Sequence, residues 1–332
     1  MTKSRWLIIL FMAGCVGASV VFAQRYARRY PPRARSRGLP IWHNILTREA
    51  QSRFLDSARN KPVPNWEPDK EFSDDVFTFV RIRYSSGYGG GFPQARPEPG
   101  RASGVPREYG SRPVPSRVEG FGRGFSGGGW ATDYPDSDLN FSYRLHQLTS
   151  MEVNPDGLVL DLTDPRLFDY PFIYIVEPGR LVFSEEEVKS LRRYLLNGGF
   201  LMVDDFWGQA EWYNFYRQIK QVFPDREPVE LALDHPIFHA VFELKEKPQI
   251  PSIGVALAGR AYGITWERPD AREVHFKAIY DDKGRTMVII CHNTDLGDGW
   301  EREGENEWYF REFSEKKAYP LGINIVFYAM TH

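Results

Sequence analysis

The chain has 332 residues, with 42 Lys and Arg against 44 Asp and Glu, and a formal net charge of −2. That balance excludes a nucleic-acid-binding composition and implies no nucleic-acid partner. Two cysteines, Cys15 and Cys291, exclude a disulfide-stapled scaffold, so stability has to come from a core that about 260 residues of folded chain are long enough to supply.

Lys3 and Arg5 precede an almost wholly apolar run from Trp6 to Phe22, and Val21-Phe22-Ala23 places small residues where a signal peptidase reads. Residues 1–23 are therefore expected to be a secretory signal peptide, and the protein to be exported to the periplasm or cell surface. The run is also near the lower length limit for a membrane span, so an anchor over residues 6–22 is the alternative. Met12-Ala13-Gly14-Cys15 resembles a lipobox and gives a third possibility. Residues 24–71 begin with a basic arm (Arg28, Arg29, Arg33, Arg35, Arg37) suited to contact with anionic lipid. They continue with an amphipathic helix over Ile41–Asn60 and a Pro-rich linker over Lys61–Asp69.

The main domain is expected over residues 72–332. Val76–Tyr84 reads as a strand. Ser85–Gly129 is rich in Gly, Pro and spaced Arg and reads as a disordered insertion, because it cannot bury enough apolar surface to offset chain entropy. Ser137–Thr149 is a helix, and Leu158–Leu162 and Phe172–Val176 are short apolar strands. Ser184 with Glu187 three residues on forms a capping box for a helix that ends at Gly198. Phe200-Leu201-Met202-Val203 returns the chain to the sheet and ends in Asp204-Asp205; Gln209–Val222 is a further helix. Strand, helix, strand with short links is a βαβ unit and predicts a parallel sheet. Gly254–Leu257, Tyr262–Trp266, Val274–Tyr280 and Thr286–His292 read as strands, the last two joined by the turn Asp282–Arg285 into a hairpin. Leu321–Met330 is an apolar closing helix. The fold class is α/β.

Trp130-Ala131-Thr132-Asp133-Tyr134-Pro135, Asn140-Phe141, Gly198 to Asp205, Asp234-His235-Pro236-Ile237-Phe238 and Asn324 to Thr331 together resemble a bacterial family, the domain of unknown function numbered 4159. The resemblance covers about Phe72 to His332. It implies a flavodoxin-like, mostly parallel sheet related to class I glutamine amidotransferases, with flanking helices and a C-terminal antiparallel hairpin. It also implies partners in an envelope complex, MoxR-type ATPases or von Willebrand factor A-domain proteins. It names no activity.

The sequence argues against amidotransferase chemistry. Cys291 and His292 are adjacent in a strand and should point to opposite faces, and no nucleophile-elbow sequence is present. The site candidates are Asp133, Tyr134, Asp204, Asp205, Trp207 and His235. They are expected at the C-terminal edge of the parallel strands, where open α/β sheets place their crevices. Asp133, Asp204, Asp205 and His235, with Asp136 and Asp138 in reserve, could hold a divalent cation. The structural alternative is that Asp204 and Asp205 cap the following helix and bond loop amides. Trp207 and Trp212 could line a sugar or peptide groove. Asp298 to Glu303 and Trp308-Tyr309 form a second polar and aromatic loop that could face the same crevice. Two functions remain open: a non-catalytic envelope module binding a partner or small ligand, or a metal-dependent hydrolase acting on a glycan or peptide. Oxygens of Asp133, Asp204 and Asp205 converging within metal-bridging range, with His235 nearby, would favour the second, and carboxylates turned into backbone amides the first.

Overall fold

The computed structural model describes residues 66–68, 76–86 and 129–332. The signal segment, the basic arm, the helix over Ile41–Asn60 and nearly all of the Gly/Pro/Arg insertion lie outside the described residues.

Among the described residues the sheet has seven strands: β1 (Val80–Arg83), β3 (Leu158–Asp161), β4 (Phe172–Val176), β6 (Phe200–Asp204), β7 (Val229–Glu230), β8 (His275–Tyr280) and β9 (Thr286–His292). Their spatial order is β3-β1-β4-β6-β9-β8-β7. The first five in that order are parallel; β8 is antiparallel to β9, and β7 antiparallel to β8. The expected hairpin is therefore present. Its second strand also enters the parallel set, pairing Leu201, Met202 and Val203 with Val288, Ile289 and Ile290. Two short strands, β2 (Ser85–Ser86) and β5 (Leu181–Val182), pair separately.

β4 is apolar at every position because both its faces are covered, and all five of its residues are fully buried. Phe172, Tyr174 and Val176 join Met202, Ile289 and Cys291 on one face, under α1 (Asp136–Leu148) and the C-terminal helix. Ile173 and Ile175 join Leu201, Val203, Val288 and Ile290 on the other, under α2 (Glu185–Leu196) and α3 (Gly208–Val222). Each such side chain contributes about 1.5–3 kcal/mol when sealed from water. The capping box that opens α2 forms as the sequence predicts. Glu187 N donates to Ser184 Oγ at 3.2 Å, and Ser184 N to Glu187 Oε2 at 2.7 Å. The chain then turns at Gly198, whose φ of 107° is open to glycine, and re-enters the sheet.

Two expectations fail between β7 and β8. Gly254–Leu257 lies in helix α4 (Ile253–Gly259), and Tyr262–Trp266 begins at the last residue of a 3-10 turn (Arg260–Tyr262) and continues as irregular chain. The run is built of small residues, and only Ala256 and Gly259, three apart, are buried. That is a helical spacing, and the free edge of β8 is already taken by β7. After β9 come α5 (Leu296–Glu301) and α6 (Glu307–Tyr309), and the chain continues as a π-helix over Phe310–Ala318 into α7 (Tyr319–Thr331). The apolar tail predicts only the last of these. Pro320 has no N–H to give, so an unbroken α-helical ladder cannot run through it, and the widened turns precede it. Among the described residues, no helix is long and apolar enough to cross a membrane.

Candidate functional site

Among the described residues, four non-glycine residues have left-handed backbone: Asp133 (φ 62°), Glu177 (φ 48°), Asp205 (φ 56°) and Asn293 (φ 63°). Glu177, Asp205 and Asn293 are the residues directly after β4, β6 and β9, on the same edge of the sheet. Asp133 is in the loop that meets them. An L-residue there costs on the order of 1–2 kcal/mol, less for Asn and Asp, and such strain gathers where a side chain must be aimed.

Arg81, in β1 and fully buried, fixes the Asp133 loop. Its Nη1 donates to the carbonyls of Trp130 (3.0 Å) and Thr132 (2.9 Å), and its Nη2 to Ser137 Oγ (2.9 Å) and Asp138 Oδ1 (2.5 Å). The guanidinium also stands 5.0 Å from the Tyr174 ring and 5.7 Å from that of Tyr134. Tyr134 thus belongs to the support of the loop, and Asp138 is the counter-ion of Arg81.

Asp204 is turned inward. Its Oδ2 accepts from Tyr174 Oη (3.0 Å), Leu296 N (2.9 Å) and Gly297 N (3.1 Å), so it caps α5 from 92 residues away rather than the helix that follows it. Its Oδ1 is sealed from solvent with no hydrogen-bond partner. Asp205 meets Asp133 and Asp295. Each of the three offers one carboxylate oxygen, and these oxygens lie within 4.8 Å of one another. Asp205 Oδ1 also accepts from Trp207 Nε1 at 3.0 Å, and Asp295 Oδ1 accepts from Asp298 N at 2.7 Å. Asp133, Asp298 and Glu301 form a second group on the same 4.8 Å criterion. The segment from Asp298 therefore reaches Asp133, with Asp298 and Glu301 on helix α5 rather than in a loop. The approach is close: a Cβ on Gly297 would come 2.5 Å from Asp133 Oδ2.

Charge sets these groups apart from ordinary carboxylates. Burial, then the neighbouring Asp298, pushes Asp133 up to about 7; burial, then Asp133, does the same to Glu177. Burial raises Asp204 to about 7 against the pull of the hydrogen bonds it accepts. Asp205 and Asp295 are raised well above their ordinary range by burial and then by the surrounding acids. Among the described residues no Lys or Arg pairs with either. Asp298 and Glu301, by contrast, both face Arg302.

The remaining candidates fall outside the cluster. His235 sits beside Tyr280 and Tyr328, where β8 ends opposite the start of β9, at the opposite edge of the sheet. Its Nδ1 accepts from Ile237 N at 3.3 Å, so it orders its own turn. Trp207 is 3 % exposed and so walls no open groove, and the half-buried Trp212 packs on Phe206 and His292. Cys291 lies in the core under α1 while His292 contacts Phe206 and Trp212 on the other face, which separates thiol from imidazole as strand alternation requires. The N-terminus of α3 is closed by the protein's own acceptors: Glu211 on Trp207 N, Asn293 on Gly208 N and Asp270 on Gln209 N.

Asp295 was not among the sequence candidates. The signal for it was an Asp three residues before Asp298 and just past an apolar strand, and it was missed because Thr286–His292 read as a hairpin arm rather than as a parallel strand.

The fold and site define an α/β protein with a mostly parallel sheet and a buried cluster of acids at the C-terminal strand ends. The chain belongs to the family described as Domain of unknown function (DUF4159), whose model matches residues 121–330. No curated protein matches it.

Proposed function

We propose that this is a cation-dependent binding module of the cell envelope, in which Asp133, Asp205 and Asp295 hold a hard divalent cation that presents open coordination positions to an oxygen-bearing ligand on a partner protein or small molecule. One observation carries the reading: three carboxylates from three separate chain segments bring oxygens within 4.8 Å of one another, with no Lys or Arg pairing to Asp205 or Asp295 among the described residues. Buried like charges at that spacing cannot all ionise without a counter-charge. An all-oxygen donor set selects Mg2+, Ca2+ or Mn2+ over zinc or copper. The closed N-terminus of α3 disfavours a bare anionic ligand there.

The strand order supports the finer reading of the fold. Taken in chain order, the five parallel strands run 2-1-3-4-5, the flavodoxin-like order, and ligands of such sheets sit outside the carboxyl ends of the strands. The class I glutamine amidotransferase relationship, without its nucleophile, is part of this proposal. So is the envelope setting, which rests on the N-terminal sequence and on the family resemblance. That resemblance also supplies MoxR-type ATPases and von Willebrand factor A-domain proteins as partners, and the N-terminal basic arm, outside the resemblance, suits lipid contact.

One feature favours hydrolysis as a second reading. Asp205 stands in left-handed backbone at a tight strand-to-helix turn, where a reacting group is held exposed in other α/β enzymes, beside a cation that would activate water.

Calorimetric titration of the purified protein with Mn2+ and Ca2+ at pH 8 tests the main reading. Saturable binding that is lost in Asp205→Asn and Asp295→Asn supports it; no binding by the wild type refutes it. Release of product from glycan or peptide substrates that depends on both Mn2+ and Asp205 would favour the hydrolase.

A further inference from the structure

The two carboxylate groups share Asp133 but differ in what neutralises them. Arg302 Nε lies 2.9 Å from Asp298 Oδ1, its Nη2 2.8 Å from Glu301 Oε2, and its Nη1 3.3 Å from Glu305 Oε1. The Asp298/Glu301 half of the crevice therefore already contains a cation, the guanidinium, held by two of its three acids. That arrangement is fixed from behind. Asp298 Oδ2 accepts from Ile253 N at 2.6 Å, and Tyr309 Oη stands 3.3 Å from it. The Asp205/Asp295 half has only hydrogen bonds, from Trp207 Nε1 and Asp298 N.

We infer that Arg302 is the residue that sets the stoichiometry of this site. It occupies the second cation position with an internal positive charge, so that the native protein binds one divalent ion, and its removal opens a second position that shares Asp133. The inference rests on the cation-site reading above and deepens it. Two cations bridged by one carboxylate form the arrangement that two-metal sites use to clamp a reacting group. A permanent guanidinium in place of the second ion keeps this crevice a one-ion binding site. Arg suits that role because it stays charged at every working pH and its planar fork can meet two carboxylates at once.

The test measures Mn2+ bound per chain, by equilibrium dialysis with metal analysis, for the wild type, Arg302→Gln, Arg302→Lys, Glu301→Gln and Asp295→Asn. Circular dichroism and melting curves establish that each variant is folded. The expectation is one Mn2+ per wild-type chain and per Arg302→Lys chain, and two per Arg302→Gln chain. Glu301→Gln, which removes an acid held by Arg302, should bind one Mn2+ with affinity within about threefold of wild type. Asp295→Asn, which removes a first-site ligand, should lose roughly tenfold or more. If Arg302→Gln does not fold, the Glu301 and Asp295 pair still decides: equal losses in both would overturn the inference. Two Mn2+ in the wild type, or one in folded Arg302→Gln, would overturn it while leaving the cation site intact. No Mn2+ in the wild type would overturn both.

Discussion

Asp204 gives the sharpest quantitative test, because the same carboxylate is a buried acid and the cap of a distant helix. Asp204→Ala leaves the amides of Leu296 and Gly297 without their acceptor and removes the partner of Tyr174 Oη. At about 1–3 kcal/mol for each of these three buried groups left unpaired, the loss at pH 5 is about 3–9 kcal/mol. Asp204→Asn keeps a carbonyl oxygen for those donors and mimics the protonated acid, so at pH 5 it should be close to wild type. The two then diverge. Burial raises Asp204 from 3.8 to about 7 in the folded state. A carboxyl raised in this way contributes stability that is complete below pH 3.8 and is lost as pH rises through 7. Between pH 5 and 7 the Asp204 carboxyl costs the wild type about two units' worth, roughly 3 kcal/mol, that Asp204→Asn does not lose, while the other raised acids act on both proteins alike. Urea unfolding followed by tryptophan fluorescence, in EDTA at half-unit steps from pH 5 to pH 8, measures all three proteins. Asp204→Asn tracking wild type at every pH, or Asp204→Ala costing under about 1 kcal/mol at pH 5, would refute the reasoning. The result also separates the adjacent acids. Asp204 acts through stability, whereas Asp205→Asn should impair cation binding and leave the melting temperature near wild type.

Further outcomes follow from the same geometry. Because Asp133 and Glu177 are raised to about 7 and burial among other acids lifts Asp205 and Asp295 well above the ordinary carboxylate range, the cation-free protein should lose stability from pH 4 to pH 8. Added Mn2+ should then raise the melting temperature more at pH 8 than at pH 5, as read by scanning calorimetry. Arg81→Met strands Asp138 in the core and frees the Trp130–Thr132 carbonyls, so it should cost about 3–5 kcal/mol in urea unfolding. Gly297→Ala drives a methyl against Asp133 Oδ2 and should weaken Mn2+ binding in calorimetry more than it lowers the melting temperature. Cys291 is fully buried with its thiol pushed up by burial; iodoacetamide should label it only after denaturation, as mass spectrometry would detect.

Local rules made much of this molecule readable. The Ser184/Glu187 box, the Gly198-Gly199 return and the apolar run of Phe200–Val203 each state their own structure, and together they require a parallel pair. The same logic placed Asp204 and Asp205 on the correct edge beside Asp133. The misreadings share a cause. Gly254–Leu257 looks like a strand in isolation, but whether small apolar residues extend a sheet depends on which edge is free, and β7 had already taken it. His235 and Asp204 are both polar residues beside apolar runs, yet one lies at the far edge of the sheet and the other serves a helix 92 residues on. Asp295 became a partner of Asp205 only through the pairing of β9 with β6, a contact between segments some ninety residues apart.

The left-handed backbone at Asp133 and Asp205 bears on how such a site can vanish. Glycine takes that conformation at no steric cost, so Asp→Gly there relaxes the chain while deleting a carboxylate from a crowded negative crevice. Asp and Gly codons differ by one base. For most residues in a working site, a random change damages the fold and is removed along with it. At these two positions a single nucleotide leads to a protein that folds as well or better and has lost the ligand. Inactive descendants of this protein would therefore keep an intact sheet and an intact Arg81 support, with glycine at 133 or 205.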